Sequence, residues 1–215
     1  TRMGLRGLNR TAEEMDVARD IMLGRITGGR VHIAHISTRE SLTLVRQAKR
    51  QKIAISCEVT PHHFILADSD IKNYDSNYKM KPPLRTRQDV RAMLKGLSDG
   101  TIDCIATDHA PHTRIEKETT FEDAANGIIG LETAISLAWH FLVRSGVVSV
   151  PRLVELFSTN PSKILNLDRG SLEEGAVADI TVIDPNCEIV VDVNKFQSKS
   201  RNCPFHRWEL YGAPA

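Results

Sequence analysis

An excess of charge of either sign is missing from this sequence: 28 Lys and Arg stand against 27 Asp and Glu, a formal net charge of +1 over 215 residues. There is no basic stripe, and aromatics make up only 5% and are not interleaved with arginines, so the chain lacks the electrostatic footprint of a nucleic-acid binder. No apolar run approaches the roughly 20 residues that a membrane span needs, and no signal-peptide pattern opens the chain; no membrane partner is expected. Disulfide chemistry is poorly provided for as well. The four cysteines (Cys57, Cys104, Cys187 and Cys203) show no CxxC spacing, and two of them fall in apolar runs. Free thiols in a reducing cytoplasm are the expectation. Repeats and low-complexity tracts are lacking. So is an initiating methionine, since the chain starts at Thr1, which raises the expectation of a piece of a longer protein. What remains is ordinary globular material, 41% hydrophobic and 26% charged, enough for one domain and part of another.

After a Gly- and Arg-rich start over 1–10, Thr11 reads as the N-cap of a helix. Glu13 and Glu14 sit in its first turn, Met15, Ala18, Ile21, Met22 and Ile26 form its apolar stripe, and Gly28-Gly29 stop it. Arg30–Ser37 reads as a strand, Thr38 as the cap of a second helix, and Lys52–Thr60 as a second strand. Pro61-His62-His63 opens a long irregular connection of the kind usually kept for function, closing at Lys81-Pro82-Pro83-Leu84-Arg85. Thr86 caps a further helix that Gly100 ends, and Ile102–Asp108 follows as a buried strand halting at a carboxylate. This alternation predicts an α/β fold with a parallel sheet. Helical patterns follow at Leu131–Val143, Pro151–Phe157 and Pro161–Leu165, and then strands at Ala178–Asp184 and Glu188–Val193 about a Pro185-Asn186 turn. A boundary near Leu167 divides a barrel-type region, 1–167, from a small β region, 168–215.

Period-2 alternation puts Val31, Ile33 and His35 on one strand face, and Ile102, Cys104, Ala106 and Asp108 on one face of another. Each apolar face thus ends in a metal-competent group, and in α/β barrels strand ends carry the catalytic residues. Imidazole nitrogen and carboxylate oxygen suit Zn²⁺ in a hydrolytic site. A metal there would acidify water at neutral pH, and Asp108 would accept the proton and pass it to a leaving nitrogen. Blander readings stand beside these. A strand-end histidine is often a hydrogen-bonded core residue, and Asp108 could cap a turn. By pattern, His109 reads as support and His112 as a candidate anion contact. His62 and His63 are as compatible with packing as with function, while His32, His140 and His206 read as structural.

The segments HIAHIST (32–38), CEVTPHHF (57–64), YKMKPPLRT (78–86), IDCIATDHAPHT (102–113) and NGIIGLETA (126–134) together resemble the bacterial dihydroorotases related to the multifunctional pyrimidine enzyme, within the amidohydrolase superfamily. ADITVIDP (178–185) and SKSRNCPF (198–205) resemble that family's C-terminal β region. The resemblance implies a zinc enzyme, with one or two ions per complete site, on a distorted (β/α)₈ barrel. Such enzymes interconvert dihydroorotate and N-carbamoyl-L-aspartate in pyrimidine synthesis. It implies His35 as a zinc ligand on the sixth strand, and Asp108 on the eighth as zinc ligand and general base, then acid. It further implies His112 as reader of the substrate carboxylate, with backbone groups of Asn126 and Gly127 holding the pyrimidine edge. Hydantoinases and allantoinases look similar at the His35 and Asp108 motifs, whereas DHAPH and GLET favour dihydroorotase.

Two positions depart from the family pattern. Lys81 stands where a substrate-contacting asparagine is common, supplying a charge in place of an amide, and Asn126 stands where an aromatic residue is frequent. The HxH pair, the bridging carboxylate or carboxylated lysine and the further histidine of the family's metal centre have no counterpart here. The expectation is therefore strands six to eight of the barrel plus part of a small β-sandwich region, with little turnover from the isolated chain. Homo-oligomerisation, or association with aspartate transcarbamoylase as a non-catalytic scaffold, are the partner expectations; retention of His35 and Asp108 argues against the scaffold.

Overall fold

The computed structural model describes Gly4, Leu5 and residues 7–215. The expected loop over 1–10 therefore lies partly outside the described residues. Helix α1 (Arg10–Thr27) is capped by Asn9, whose side chain accepts from the Thr11 N–H, and not by Thr11 itself; it ends at Gly28 in the left-handed region at φ 68°. Of the expected apolar stripe only Ile21 is inside: Met15, Ala18, Met22 and Ile26 are exposed, and the helix buries Val17 instead. The next elements are β1 (Val31–Ile33), α2 (Arg39–Arg50) and β2 (Ile55–Val59). Then come α3 (Pro61–Ile65), α4 (Arg87–Ser98) and β3 (Cys104–Ile105). Thr38 caps α2 through the Ser41 N–H and Thr86 caps α4, as the sequence predicts; Asp89 completes a reciprocal capping box with Thr86.

The strands form a parallel sheet in the order β1-β2-β3. Ile33, Ile55, Cys57 and Val59 join one apolar cluster with Leu42, Val45 and Ala48 of α2 and Met93 and Leu97 of α4. His32, Ser56 and Glu58 alternate to the opposite face. That face borders a cavity of about 630 Å³ whose lining includes His32, Ser56, Glu58 and Cys104. Regular strand is shorter than the sequence pattern suggests. Backbone pairing continues past it, with Ile36 N–H donating to Glu58 O and Ala106 N–H to Val59 O. His35 at φ 48° and Asp108 at φ 46° then break the pleat.

The connection after β2 packs α3 inward. His62 and His63 are only 2% and 3% exposed. Thr60 Oγ1 and the Pro82 carbonyl hold the two ring nitrogens of His63, whereas His62 Nε2 has no hydrogen-bond partner among the described residues. Burial pushes His62 well below its ordinary value, with the neighbouring His63 adding to it, and burial takes His63 down to about 4. A pKa lower in the folded than in the unfolded chain means that unfolding takes up protons. This contribution is therefore complete above pH 6.5 and is lost as pH falls toward 4. His35, raised chiefly by Glu58, acts with the opposite sign, but only as pH rises above 6.5. The denaturant midpoint is expected to fall between pH 7 and pH 5, most steeply below pH 6.5; a flat midpoint over that range would contradict it.

Beyond β3 lie α5 (Arg114–Lys117) and α6 (Ala134–Ala138), which runs into a π turn at Trp139–Val143. Helix α7 (Val150–Val154) likewise passes through a π turn, Glu155–Thr159, into α8 (Asn160–Leu165). Helix α6 starts later than the expected Leu131, and the Gly130 and Leu131 N–H groups ahead of it donate to His109 Nδ1. Finally, β4 (Ile183–Val190) pairs antiparallel with β5 (Glu209–Pro214). The expected strand over Ala178–Asp184 is not formed: regular pairing starts at Ile183 and runs through the Pro185-Asn186 step, with a register irregularity between Asp184 and Glu188. Ile180 and Val182 are left exposed. Among the described residues, no helix is long and apolar enough to cross a membrane.

Candidate metal centre

The two strand-end residues meet. His35 Nε2 lies 3.8 Å from Asp108 Oδ1. Alternation had grouped His35 with Val31 and Ile33. The left-handed backbone at His35 instead turns its ring to the His32–Glu58 side, where Nδ1 lies 2.7 Å from Glu58 Oε1. That contact is close, although it lies off the line of a hydrogen bond. Glu58 Oε2 accepts from His32 Nε2 at 3.2 Å, and His32 Nδ1 is 2.8 Å from Ser56 Oγ. Burial works to raise the Glu58 carboxyl, but the two imidazoles outweigh it and hold it at about 2. Burial raises Asp108 above its ordinary value, the Glu58 charge adding and His35 opposing.

The donor set fits a divalent cation. Zinc bonds to imidazole nitrogen and carboxylate oxygen are each about 2.0–2.2 Å, so two donors of one ion stand no more than about 4 Å apart, as His35 and Asp108 do. His32, Glu58 and Cys104 also bring nitrogen, oxygen and sulfur within 4.8 Å of one another. In that trio, however, burial pushes the thiol to about 12, and both Glu58 oxygens already face imidazoles.

The DHAPH turn is braced from behind. His109 pairs with Ile128 through the backbone; its Nδ1 accepts from Gly130 and Leu131, which leaves the proton on Nε2. His112 Nε2 donates to the Asn126 carbonyl at 3.0 Å, while Nδ1 lies 3.6 Å from Glu116. Gly127 donates its N–H to Lys79 O, and its carbonyl accepts from Asn202 Nδ2 and Lys117 Nζ. Both backbone groups of Gly127 and the Asn126 carbonyl are thus engaged internally. Asn126 and Lys81 are both exposed. The segment that carries Lys81 is bonded on one side to Gly127 through Lys79 O and on the other to His63 through Pro82 O.

The pattern reading of the sequence missed Glu58 and Asn202. Glu58 is the one carboxylate on the strand Ile55–Val59, inside CEVTPHHF; that charge was its signal. Asn202 sits in SKSRNCPF and closes the turn by donating to Ala110 O and Gly127 O and accepting from His112 N–H. Nothing local in the sequence announces a contact across 90 residues.

A parallel sheet delivering an imidazole and a carboxylate to its strand ends is the layout of hydrolases that work through a metal. The chain belongs to the amidohydrolase family, matched over residues 5–204, a family that is generally metal-dependent. Within it, the chain is 52% identical over 213 residues to a protein named dihydroorotase from Acetivibrio thermocellus, covering 99% of this chain and 50% of that one. It is 50% identical over 215 residues to a dihydroorotase from Geobacter metallireducens, again covering 50% of it. The chain therefore spans about half the length of these curated relatives. Among solved structures it superposes on the L-hydantoinase (dihydropyrimidinase) from Arthrobacter aurescens with a TM-score of 0.89 at 28% identity, covering 94% of this chain and 46% of that one. The D-hydantoinase from a Thermus species gives 0.87 at 26% identity, covering 96% and 47%.

Proposed function

We propose that this chain is the C-terminal portion of a zinc-dependent dihydroorotase, with residues 1–167 forming strands six to eight of the barrel and 168–215 part of a small β-sandwich region. The single observation that carries the reading is the meeting of His35 and Asp108 at the sheet's C-terminal edge, beside the braced DHAPH turn. The curated relatives of about twice this length, and the cavity against the polar face of the sheet, support the view that further strands close the barrel.

In this reading His35 and Asp108 are two of the ligands of one or two zinc ions. When bound, the metal supplies Lewis acidity, polarising an amide carbonyl and acidifying water. Asp108 takes a proton from the attacking water at its carboxylate oxygen. It then returns that proton to the ring nitrogen as the cyclic amide C–N bond breaks, releasing N-carbamoyl-L-aspartate. In the reverse direction the same carboxylate removes the nitrogen proton and passes it to the departing hydroxyl, which leaves as water. His112 faces the substrate carboxylate, Asn126 and Gly127 line the pyrimidine edge, and Lys81 adds a cation near an anionic substrate. The enzyme works in the cytoplasm.

A second reading, a hydantoinase- or allantoinase-like cyclic amidase, is favoured by Lys81 and by the hydantoinase superpositions. Comparing dihydroorotate, hydantoin and allantoin as substrates of the complete polypeptide separates the two. A site built around the substrate carboxylate rejects analogues lacking it by about 10⁴ in kcat/KM, so dihydroorotate is expected to lead by that order. A lead for hydantoin or allantoin would replace the dihydroorotase reading. No turnover of any of the three by a zinc-loaded protein would point to a scaffold partner of aspartate transcarbamoylase.

A further inference from the structure

We infer that Glu58 is the positioning residue of the metal centre: it orients His35, and is itself fixed by His32 and Ser56. The inference rests on the reading of His35 as a metal ligand. Four side chains stand in line on two adjacent strands and the turn beyond. Ser56 meets His32 at 2.8 Å, His32 meets Glu58 at 3.2 Å, and Glu58 meets His35 at 2.7 Å. His32 and Ser56 are direct partners in the parallel register, so the line is set by sheet pairing and not by flexible loops.

The geometry divides the nitrogens of His35. Nδ1 faces the carboxylate, while Nε2 faces Asp108. A carboxylate beside Nδ1 keeps the proton on that nitrogen, leaves the Nε2 lone pair free for a metal and makes that lone pair more basic. His32 is needed for a different reason. A carboxylate held at one oxygen can swing about its last torsion; held at both, it presents Oε1 to His35 in one orientation. A plain ion pair would need neither the second histidine nor the serine behind it.

Zinc affinity measured by chelator competition on the full chain tests this. Glu58→Gln is expected to weaken zinc binding by about 10–100-fold, with an unchanged circular dichroism spectrum, and Glu58→Asp to recover part of the loss. Zinc affinity that Glu58→Gln leaves unaltered while His35→Ala lowers it overturns the inference alone. Zinc affinity indifferent to His35→Ala overturns the reading beneath it. A loss on Cys104→Ser equal to that on His35→Ala would move the metal to the His32–Glu58–Cys104 trio and overturn the inference as well. Should Glu58→Gln not fold, nitrogen NMR of the metal-free wild type decides. At a pH where the ring is neutral, His35 is expected to carry its proton on Nδ1, and a proton on Nε2 would overturn the assignment.

Discussion

Asp108→Asn is expected to lower kcat of the complete enzyme by about 10²–10⁴-fold, the usual contribution of a positioned proton carrier, with a much smaller change in KM. Asparagine keeps the shape of the side chain and tolerates the left-handed backbone at least as well as aspartate, so φ 46° survives the exchange. Stability should not decide the result. The Asp108 carboxylate is only partly buried, and it faces His35 across 3.8 Å, too far for a strong ion pair. What the amide loses is the capacity to take a proton and return it. The variant's zinc content has to be measured alongside, since the same side chain is a proposed ligand. A zinc-replete Asp108→Asn enzyme within tenfold of wild-type kcat would sink the shuttle role.

The second large effect is expected from Gly127→Ala. A Cβ there would stand 2.6 Å from His112 Cδ2, 2.7 Å from Ala110 O and 2.9 Å from Ala110 Cβ. Two of those neighbours belong to Ala110, whose N–H is tied to Ile128 O and whose carbonyl is tied to Asn202, so the backbone has little room to yield. The remaining way to relieve the clash is to push His112 away from the Asn126 carbonyl. Overpacking of this kind costs about 1–3 kcal/mol, and here it also displaces the proposed carboxylate reader. A Tm lowered by several degrees, together with a raised KM for dihydroorotate, is the expected result. Gly146→Ala is the control. Gly146 has φ 73° and, among the described residues, nothing within 4 Å of where an added methyl group would sit, so it carries only the left-handed conformational cost of about 1–2 kcal/mol and should leave KM alone. Equal effects of the two substitutions on KM would mean that the turn around Gly127 is unrelated to substrate.

Much of the fold was readable from local chemistry. Thr38 and Thr86 fall at helix starts because their hydroxyls satisfy orphan N–H groups a few residues on. Gly28 falls at a helix end because it takes up φ 68° without cost. The same logic misplaced the first cap, since Asn9 takes the Thr11 N–H and its carboxamide also accepts from the Thr11 hydroxyl. Strand faces were less legible. Period-2 counting works only while the pleat lasts, and it assigned His35 to the wrong side because one left-handed residue reverses the sense of everything after Ile33.

By itself, then, the sequence determined the alternation of helices and parallel strands and most of the caps, and it offered Asp108 and His35 as candidate metal ligands, because each depends on spacing, propensity or residue chemistry within a short stretch. Only the tertiary structure decided which nitrogen of His35 faces Asp108, that Glu58 stands between two histidines, that His109 is spent on the Gly130 and Leu131 N–H groups, and that Asn202 locks the turn carrying His112. Those outcomes join residues as far as 90 positions apart in the chain. They follow from strand register and from two left-handed residues at strand ends, and short-range pattern contains neither.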